Sequence, residues 1–171
     1  MIHRIELLRH AKSSWDDPGL PDQDRPLAPR GVRACARLRE HLRSAGLAPD
    51  LVLCSSATRA VRTWDGVRGG LAVEPEVRIE DGLYTADASG LLARLNDLPE
   101  SVESVLVIGH NPALEELAVG LAGDGEDDPM RRMRAKYPTG GLASLAFSDL
   151  WKGLTWGAAR LEHFVVPRQL T

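Results

Sequence analysis

Two cysteines in 171 residues leave little room for sulfur chemistry. Cys35 and Cys54 are too few and too far apart for a metal knuckle, and they read as small buried apolar residues of a reducing interior rather than as a disulfide. No apolar run approaches the roughly 20 residues that a membrane-spanning helix needs. The opening "MIHRIELLRHAK" has neither the long apolar core nor the small-residue cleavage site of a secretory leader, so a cytoplasmic protein with no membrane partner is expected. Charge of one sign is missing too: 21 Lys and Arg against 24 Asp and Glu give a formal net charge of −3. That excludes the global positive field nucleic-acid binding usually needs, and any anion site must be local. Repeats and low-complexity tracts are absent. What remains, 43% hydrophobic and 26% charged residues, is the material of one domain over residues 1–171 with an ample core.

Along the chain, apolar runs alternate with helical stretches. "HRIELLRH" places Ile5, Leu7 and Leu8 in a short run suited to a strand covered on both faces. A Pro/Asp/Gly-rich loop (16–29) follows. "RGVRACARLREHLRSAG" then sets Val32, Cys35, Leu38 and Leu42 at helical spacing, with Gly46 at the C-cap. "DLVLCSS" is a second strand, and "ATRAVRTWDGV" a helix opened by Ser55 or Ser56 as N-cap. "AVEPEVRIED" is expected at a sheet edge, because Pro75 cannot donate to a ladder. "DASGLLARLNDL" is a helix capped by Asp87. "SVESVLVIGH", with Val105 to Ile108, is expected centrally, and "NPALEELAVGLAG" is a helix with Asn111 as cap and Pro112 in its first turn. "DGEDDPMRRMRAKYPTG", covering 124–140, is expected as a surface loop. "GLASLAFS" and "LTWGAARLEHFVV" alternate as closing strands. The pattern predicts an α/β fold, three layers α/β/α around a mostly parallel sheet.

In such sheets ligands bind beyond the carboxyl ends of the strands. Three strand exits carry chemistry here: Arg9-His10, Ser55-Ser56 followed by Arg59, and Gly109-His110. Converging, they would present two arginines, two imidazoles and two helix N-termini to a dianion. Singly each has a plainer reading: a strand-end Arg-His pair as a solvated feature, His110 as a packing residue, Arg59 as an ion-pair partner. Their joint placement is what points to a site. His3, His41 and His163 read as structural or solvated. Arg131, Arg132, Arg134 and Lys136 could draw in an anion, or form a solvated stretch balanced by Glu126, Asp127 and Asp128.

"LLRHAKSSW" resembles the Arg-His-Gly signature of the histidine phosphatase superfamily, the phosphoglycerate mutase-like group, with alanine for the usual glycine. "SSATRAVRT" and "VIGHNP" resemble its second and third motifs, in the family order. The short chain, "RHAKSSW" and "DRPLAPRG" look most like the SixA-type phosphohistidine phosphatases. The resemblance implies a phosphoglycerate mutase-like fold, with His10 as the nucleophile that takes the phosphoryl group and Arg9, Arg59 and His110 as ligands of its oxygens. Ser13 falls where some mutase-like members contact phosphate with a serine, and Asp16 replaces an asparagine found nearby in them.

Phosphoryl transfer needs an in-line nucleophile and positive charge around three equatorial oxygens. Two arginines supply that charge at any working pH, so no metal and no cofactor is expected. They also disfavour the protonated form of His10, which must be neutral to attack. Substrate choice turns on the leaving group. An alkoxide needs a general acid, for which Glu80 and Asp81 in "RIEDGLY" are candidates, each also readable as a solvated carboxylate at a strand end. A phosphohistidine leaves as imidazole and demands less. The expected activity is removal of phosphate from phosphohistidine in a protein. A small-molecule phosphomonoesterase acting on a phosphorylated metabolite, and a non-catalytic phospho-ligand binder, are the alternatives.

Overall fold

A computed structural model describes residues 1–170. One seven-stranded sheet runs through the protein in the order β3-β2-β4-β1-β6-β7-β5. Its strands are β1 (His3–Arg9), β2 (Leu51–Ser55), β3 (Glu76–Glu80), β4 (Ser104–Gly109), β5 (Ala122–Gly125), β6 (Leu142–Phe147) and β7 (Ala159–Val165). The helices are α1 (Pro29–Ala45), α2 (Thr58–Val67), α3 (Gly82–Thr85), α4 (Ala88–Asn96), α5 (Ala113–Leu121) and α6 (Asp127–Ala135).

The ladders β1–β4, β4–β2, β2–β3 and β5–β7 are parallel, and β1–β6 and β6–β7 antiparallel. The expected mostly parallel three-layer sheet is present. Because β1 and β2 flank β4 and both run parallel to it, all three end on the same side of the sheet. β4 is interior, as its run of valines and isoleucine requires, although β1 is the middle strand. β3 is an edge strand, with Pro75 just outside its ladder.

Side-chain alternation divides the core between the two faces. Ile5, Leu7, Leu51, Leu53, Val105 and Val107 pack with α4 and α5. Leu8, Val52, Cys54, Leu106 and Ile108 pack with α1 and α2. Each such aliphatic side chain taken out of water contributes about 1.5–3 kcal/mol. Trp64 and Trp151 belong to this core, whereas Trp15 and Trp156 are exposed. Cys35 and Cys54 are buried free thiols.

Two boundaries have physical anchors. Gly46 closes α1 in the left-handed region at φ 65°. At its other end α1 lies against the segment after β1: a Cβ on Gly31 would fall 2.2 Å from the Lys12 carbonyl oxygen, so only glycine permits this approach. Asp87 caps α4, its side chain accepting the Gly90 amide at 2.8 Å.

Three local readings are corrected. The N-cap of α2 is Ala57 rather than Ser55 or Ser56, because the Ser55 hydroxyl is drawn to His110. α5 begins at Ala113 with Pro112 as its N-cap, although Asn111 Oδ1 does accept the Glu115 amide at 3.3 Å. Most of the stretch 124–140 is regular, with only 136–140 left as loop: it completes β5 and forms α6, which buries Met130 and Met133 and carries Asp127 and Asp128 in its first turn and Arg132 and Arg134 in its last. That charge order suits the helix dipole, and its abundance of charge is what masked the helix.

Candidate active site

At the shared edge of β1 and β4, Arg9 pairs in register with Gly109, and the His10 amide bonds the Gly109 carbonyl at 3.0 Å. This brings the two strand-end imidazoles together, with the rings of His10 and His110 5.1 Å apart between centroids. His10 is 7% and Arg59 8% exposed, so both would be unfavourable without partners.

The His10 ring has a defined orientation. Its Nδ1 lies 2.7 Å from the Ala11 carbonyl oxygen, which can only accept, so Nδ1 carries the proton. In the neutral ring the Nε2 lone pair is then free. Burial, reinforced by His110, Arg59 and Arg9, pushes the His10 pKa down to about 3, against the opposing pull of the Ala11 carbonyl. Burial and Arg59 push His110 down to about 4. Both imidazoles are neutral at pH 7, a state suited to a nucleophile.

His110 Nε2 lies 2.7 Å from Ser55 Oγ, at the end of β2. That hydroxyl already accepts the Ala57 amide at 3.2 Å and retains a proton to donate. Ser55 therefore fixes the His110 ring rather than a helix terminus. Arg9 Nη1 donates to the Tyr137 carbonyl at 3.0 Å, and burial lowers its pKa. Two buried polar atoms at this edge, Arg9 Nε and His110 Nδ1, have no hydrogen-bond partner among the described residues. Such atoms are rare, and here they leave capacity that an anion's oxygens would satisfy.

The position of Arg59 depends on residues that the sequence did not single out. Its Nη1 donates to the Asp22 carbonyl at 2.8 Å and its Nη2 to Asp22 Oδ2 at 2.9 Å. The same carboxylate accepts the Tyr84 hydroxyl at 2.6 Å and Arg25 Nη1 at 3.0 Å. Tyr84 and the guanidiniums hold Asp22 far below the usual carboxylate range. Thr63 joins the two halves of the site: its Oγ1 accepts the Ala11 amide at 2.9 Å and donates to the Arg59 carbonyl at 2.7 Å. A Thr one turn after Arg59 was the available signal for that bond; nothing local announced Asp22 or Tyr84, and Arg25 entered only as part of "DRPLAPRG" with no role given to it.

The other candidates fall into different places. Ser13 is buried, and its hydroxyl accepts Arg25 Nη2 at 2.6 Å, which joins it to the Asp22 cluster. Asp16 is exposed. Glu80 is gripped by Arg94 through two bonds of 2.9 Å, and that bidentate pair lowers its pKa. A carboxyl stabilised as its anion is a poor proton donor at neutral pH. Asp81 is exposed at the start of α3, where its carbonyl accepts the Tyr84 amide.

Two imidazoles and two guanidiniums thus lie at one sheet edge, with unmet polar atoms that the oxygens of an anion would satisfy. The chain belongs to the histidine phosphatase superfamily (branch 1), which it matches over residues 5–91. Within that superfamily it is of SixA type, and it is a phosphatase. It is similar to a SixA chain from Nakamurella multipartitia, 28% identical with a TM-score of 0.84 over 98% of this chain and 97% of that one. It is also similar to the protein histidine phosphatase SixA complexed with tungstate, 25% identical with a TM-score of 0.79 over 98% and 99% of the two chains. By sequence it is 38% identical over 163 residues to the uncharacterized protein Rv1276c of Mycobacterium tuberculosis, covering 94% of this chain and all of that one. No helix of the described residues is long and apolar enough to cross a membrane.

Proposed function

We propose that this chain, as one catalytic domain in the cytoplasm, removes phosphate from phosphohistidine in a protein by way of a phosphoenzyme on His10. The observation that carries the reading is the His10 ring, whose Nδ1 proton is committed to the Ala11 carbonyl and whose Nε2 is left as a free base beside Arg9, Arg59 and His110.

In the first step the Nε2 lone pair attacks phosphorus, the P–N bond to the substrate imidazole breaks, and that imidazole leaves with the bonding pair and is protonated from solvent. Arg9, Arg59 and His110 hold the equatorial oxygens. In the second step water attacks the same phosphorus, the P–Nε2 bond breaks, and orthophosphate forms with the proton of that water released. At about 1.5–3 kcal/mol for each charge-assisted bond, three such ligands supply roughly 5–9 kcal/mol, with strong non-additivity.

The choice of a P–N over a P–O substrate is supported by the carboxyl groups. Arg94 occupies Glu80, and Asp22 is kept ionised by Tyr84, Arg59 and Arg25. Neither is a ready acid for an alkoxide, whereas imidazole is a better leaving group. Turnover on phosphohistidine protein, phosphoramidate, sugar phosphates and 3-phosphoglycerate tests this, with His10→Ala as blank and the double variant Glu80→Gln/Asp81→Asn alongside. P–N turnover that is indifferent to the double variant is the expected result. Alkyl-phosphate turnover that falls steeply in the double variant would establish a phosphomonoesterase instead. No turnover above the blank would leave a phospho-ligand binder.

A further inference from the structure

Helix α1 carries five arginines, at 30, 33, 37, 39 and 43, against the single acidic residue Glu40, in a chain whose net charge is −3. Glu40 is taken by Arg43 at 2.6 Å and lies 3.9 Å from Arg39. Arg30, Arg33 and Arg37 are exposed, and among the described residues none of them pairs with a carboxylate. Their spacing of three and four residues puts them on one stripe about 10 Å long.

Helix stability does not account for this stripe. Its three like charges repel. Arg30 stands in the first turn, where the positive end of the helix dipole disfavours a cation, and the N-cap Ala28 offers no side-chain acceptor.

The stripe begins beside the catalytic edge. The Ala28 amide bonds the Lys12 carbonyl at 2.9 Å, and Lys12 lies two residues after His10. Ser13 and Leu27 continue this pairing as a short antiparallel bridge. Beyond it Trp15 is 70% exposed, with the buried Arg25 guanidinium 3.2 Å from its ring centroid. An open tryptophan braced by a fixed arginine, on the segment that pairs with the residues leading into α1, has the composition of protein-interface hot spots.

We infer that the Arg30, Arg33 and Arg37 stripe of α1, continued by Lys12 and Trp15, docks an acidic face of the phosphorylated protein substrate. The inference rests on the phosphoprotein reading above and adds to it where the partner carries its charge. The stripe is about 10 Å long and starts at the segment that follows His10, so acidic residues of the partner would fall roughly three to six residues from the phosphohistidine along an extended chain. A protein is favoured over a nucleic acid because the positive surplus is largest on this one helix, five arginines against one glutamate, and the chain as a whole is acidic.

The test uses two synthetic peptides with a central phosphohistidine, one bearing glutamates three to six residues away and the other glutamines. They are presented to the full chain and to the charge-reversed variant R30E/R33E/R37E. The wild type should process the acidic peptide about tenfold better, a preference that fades from about 50 mM to about 500 mM salt. The variant should lose or invert that preference and keep its phosphoramidate turnover within about twofold. Trp15→Ala should weaken both peptides.

Docking has its own readout, the fluorescence anisotropy of the unphosphorylated acidic peptide bound to His10→Ala protein. Binding that disappears in R30E/R33E/R37E, with no turnover of either phosphopeptide, would keep the docking face and overturn the proposed substrate. Turnover of both peptides without preference or binding would keep the substrate class and overturn the docking face. Stripe-dependent binding of a single-stranded oligonucleotide, without binding of the acidic peptide, would overturn it in favour of a nucleic acid.

Discussion

Asp22→Asn removes one charge and preserves the shape of the side chain that holds Arg59. The wild-type carboxylate accepts Arg59 at 2.9 Å, the Tyr84 hydroxyl at 2.6 Å and Arg25 at 3.0 Å, while the backbone carbonyl takes the other Arg59 nitrogen at 2.8 Å. The backbone contact survives the substitution, so Arg59 loses one of its two anchors to residue 22. The amide can face an oxygen to only one cation and must turn its NH2 toward the other. Buried charge-assisted bonds of this kind are worth about 1.5–3 kcal/mol, but the Asp22 side chain is 50% exposed, which reduces each to about 0.5–1. The expected loss is therefore about 1–2 kcal/mol, or roughly 3–6 °C in Tm for a domain of this size. Because the folded pKa of Asp22 is depressed, its contribution is complete above the ordinary carboxylate range and is lost only as pH falls through the folded value. The two proteins should thus converge only in strong acid. Deleting an oxyanion ligand outright costs about 10²–10³ in rate. Loosening one anchor of Arg59 should cost less, about tenfold in kcat/KM on phosphoramidate, with partial rescue by Asp22→Glu. Thermal melts and steady-state kinetics on the same preparations decide it. A variant that melts lower but turns over like wild type would refute the positioning role. Faster turnover would mean that the carboxylate competes with substrate for Arg59.

Two further predictions concern pH. Burial and the neighbouring cations push His10 to about 3 and His110 to about 4, so kcat/KM, corrected for the substrate's own ionisation, should have its acid limb near those values; a limb near 6.5 would contradict the buried, neutral nucleophile. Glu6 on β1 is 5% exposed, accepts a hydrogen bond from Ser144, and has its pKa raised by burial from 4.5 to about 7. The folded state holds this proton more tightly than the unfolded chain, so the stabilisation is complete below about pH 4.5 and is lost as pH rises to and through about 7. Glu6→Gln should therefore gain up to about 3 kcal/mol over wild type at pH 9 and almost nothing at pH 4, by urea denaturation; a difference independent of pH would contradict the buried carboxyl.

The parts of the fold that local patterning could show were those in which burial leaves a period. β4 is buried on both faces and is written almost wholly in valine, leucine and isoleucine, and α1 repeats its core contacts through Cys35, Leu38 and Leu42. α6 was hidden because only Met130 and Met133 mark its inner face while charge fills the rest. Within the site, Arg9, His10 and His110 were legible because parallel strands must deliver their ends to one edge. Asp22 was not, since its partners Arg59 and Tyr84 lie 37 and 62 residues away and it sits in a stretch whose composition reads only as loop. Ser55 was noticed for the wrong partner: the local rule offered it a helix terminus, and the tertiary fold supplied an imidazole.

The central claim is that the free nitrogen of His10 takes the phosphoryl group. Rapid acid-free quenching of the enzyme with 32P-labelled phosphoramidate, followed by peptide mapping and 31P NMR of the labelled protein, addresses it directly. Label on Nε2 of His10, formed and lost at rates compatible with turnover and absent from His10→Ala, is the result the account predicts. Turnover with no label on His10, or label on His110 or any other side chain, would contradict it.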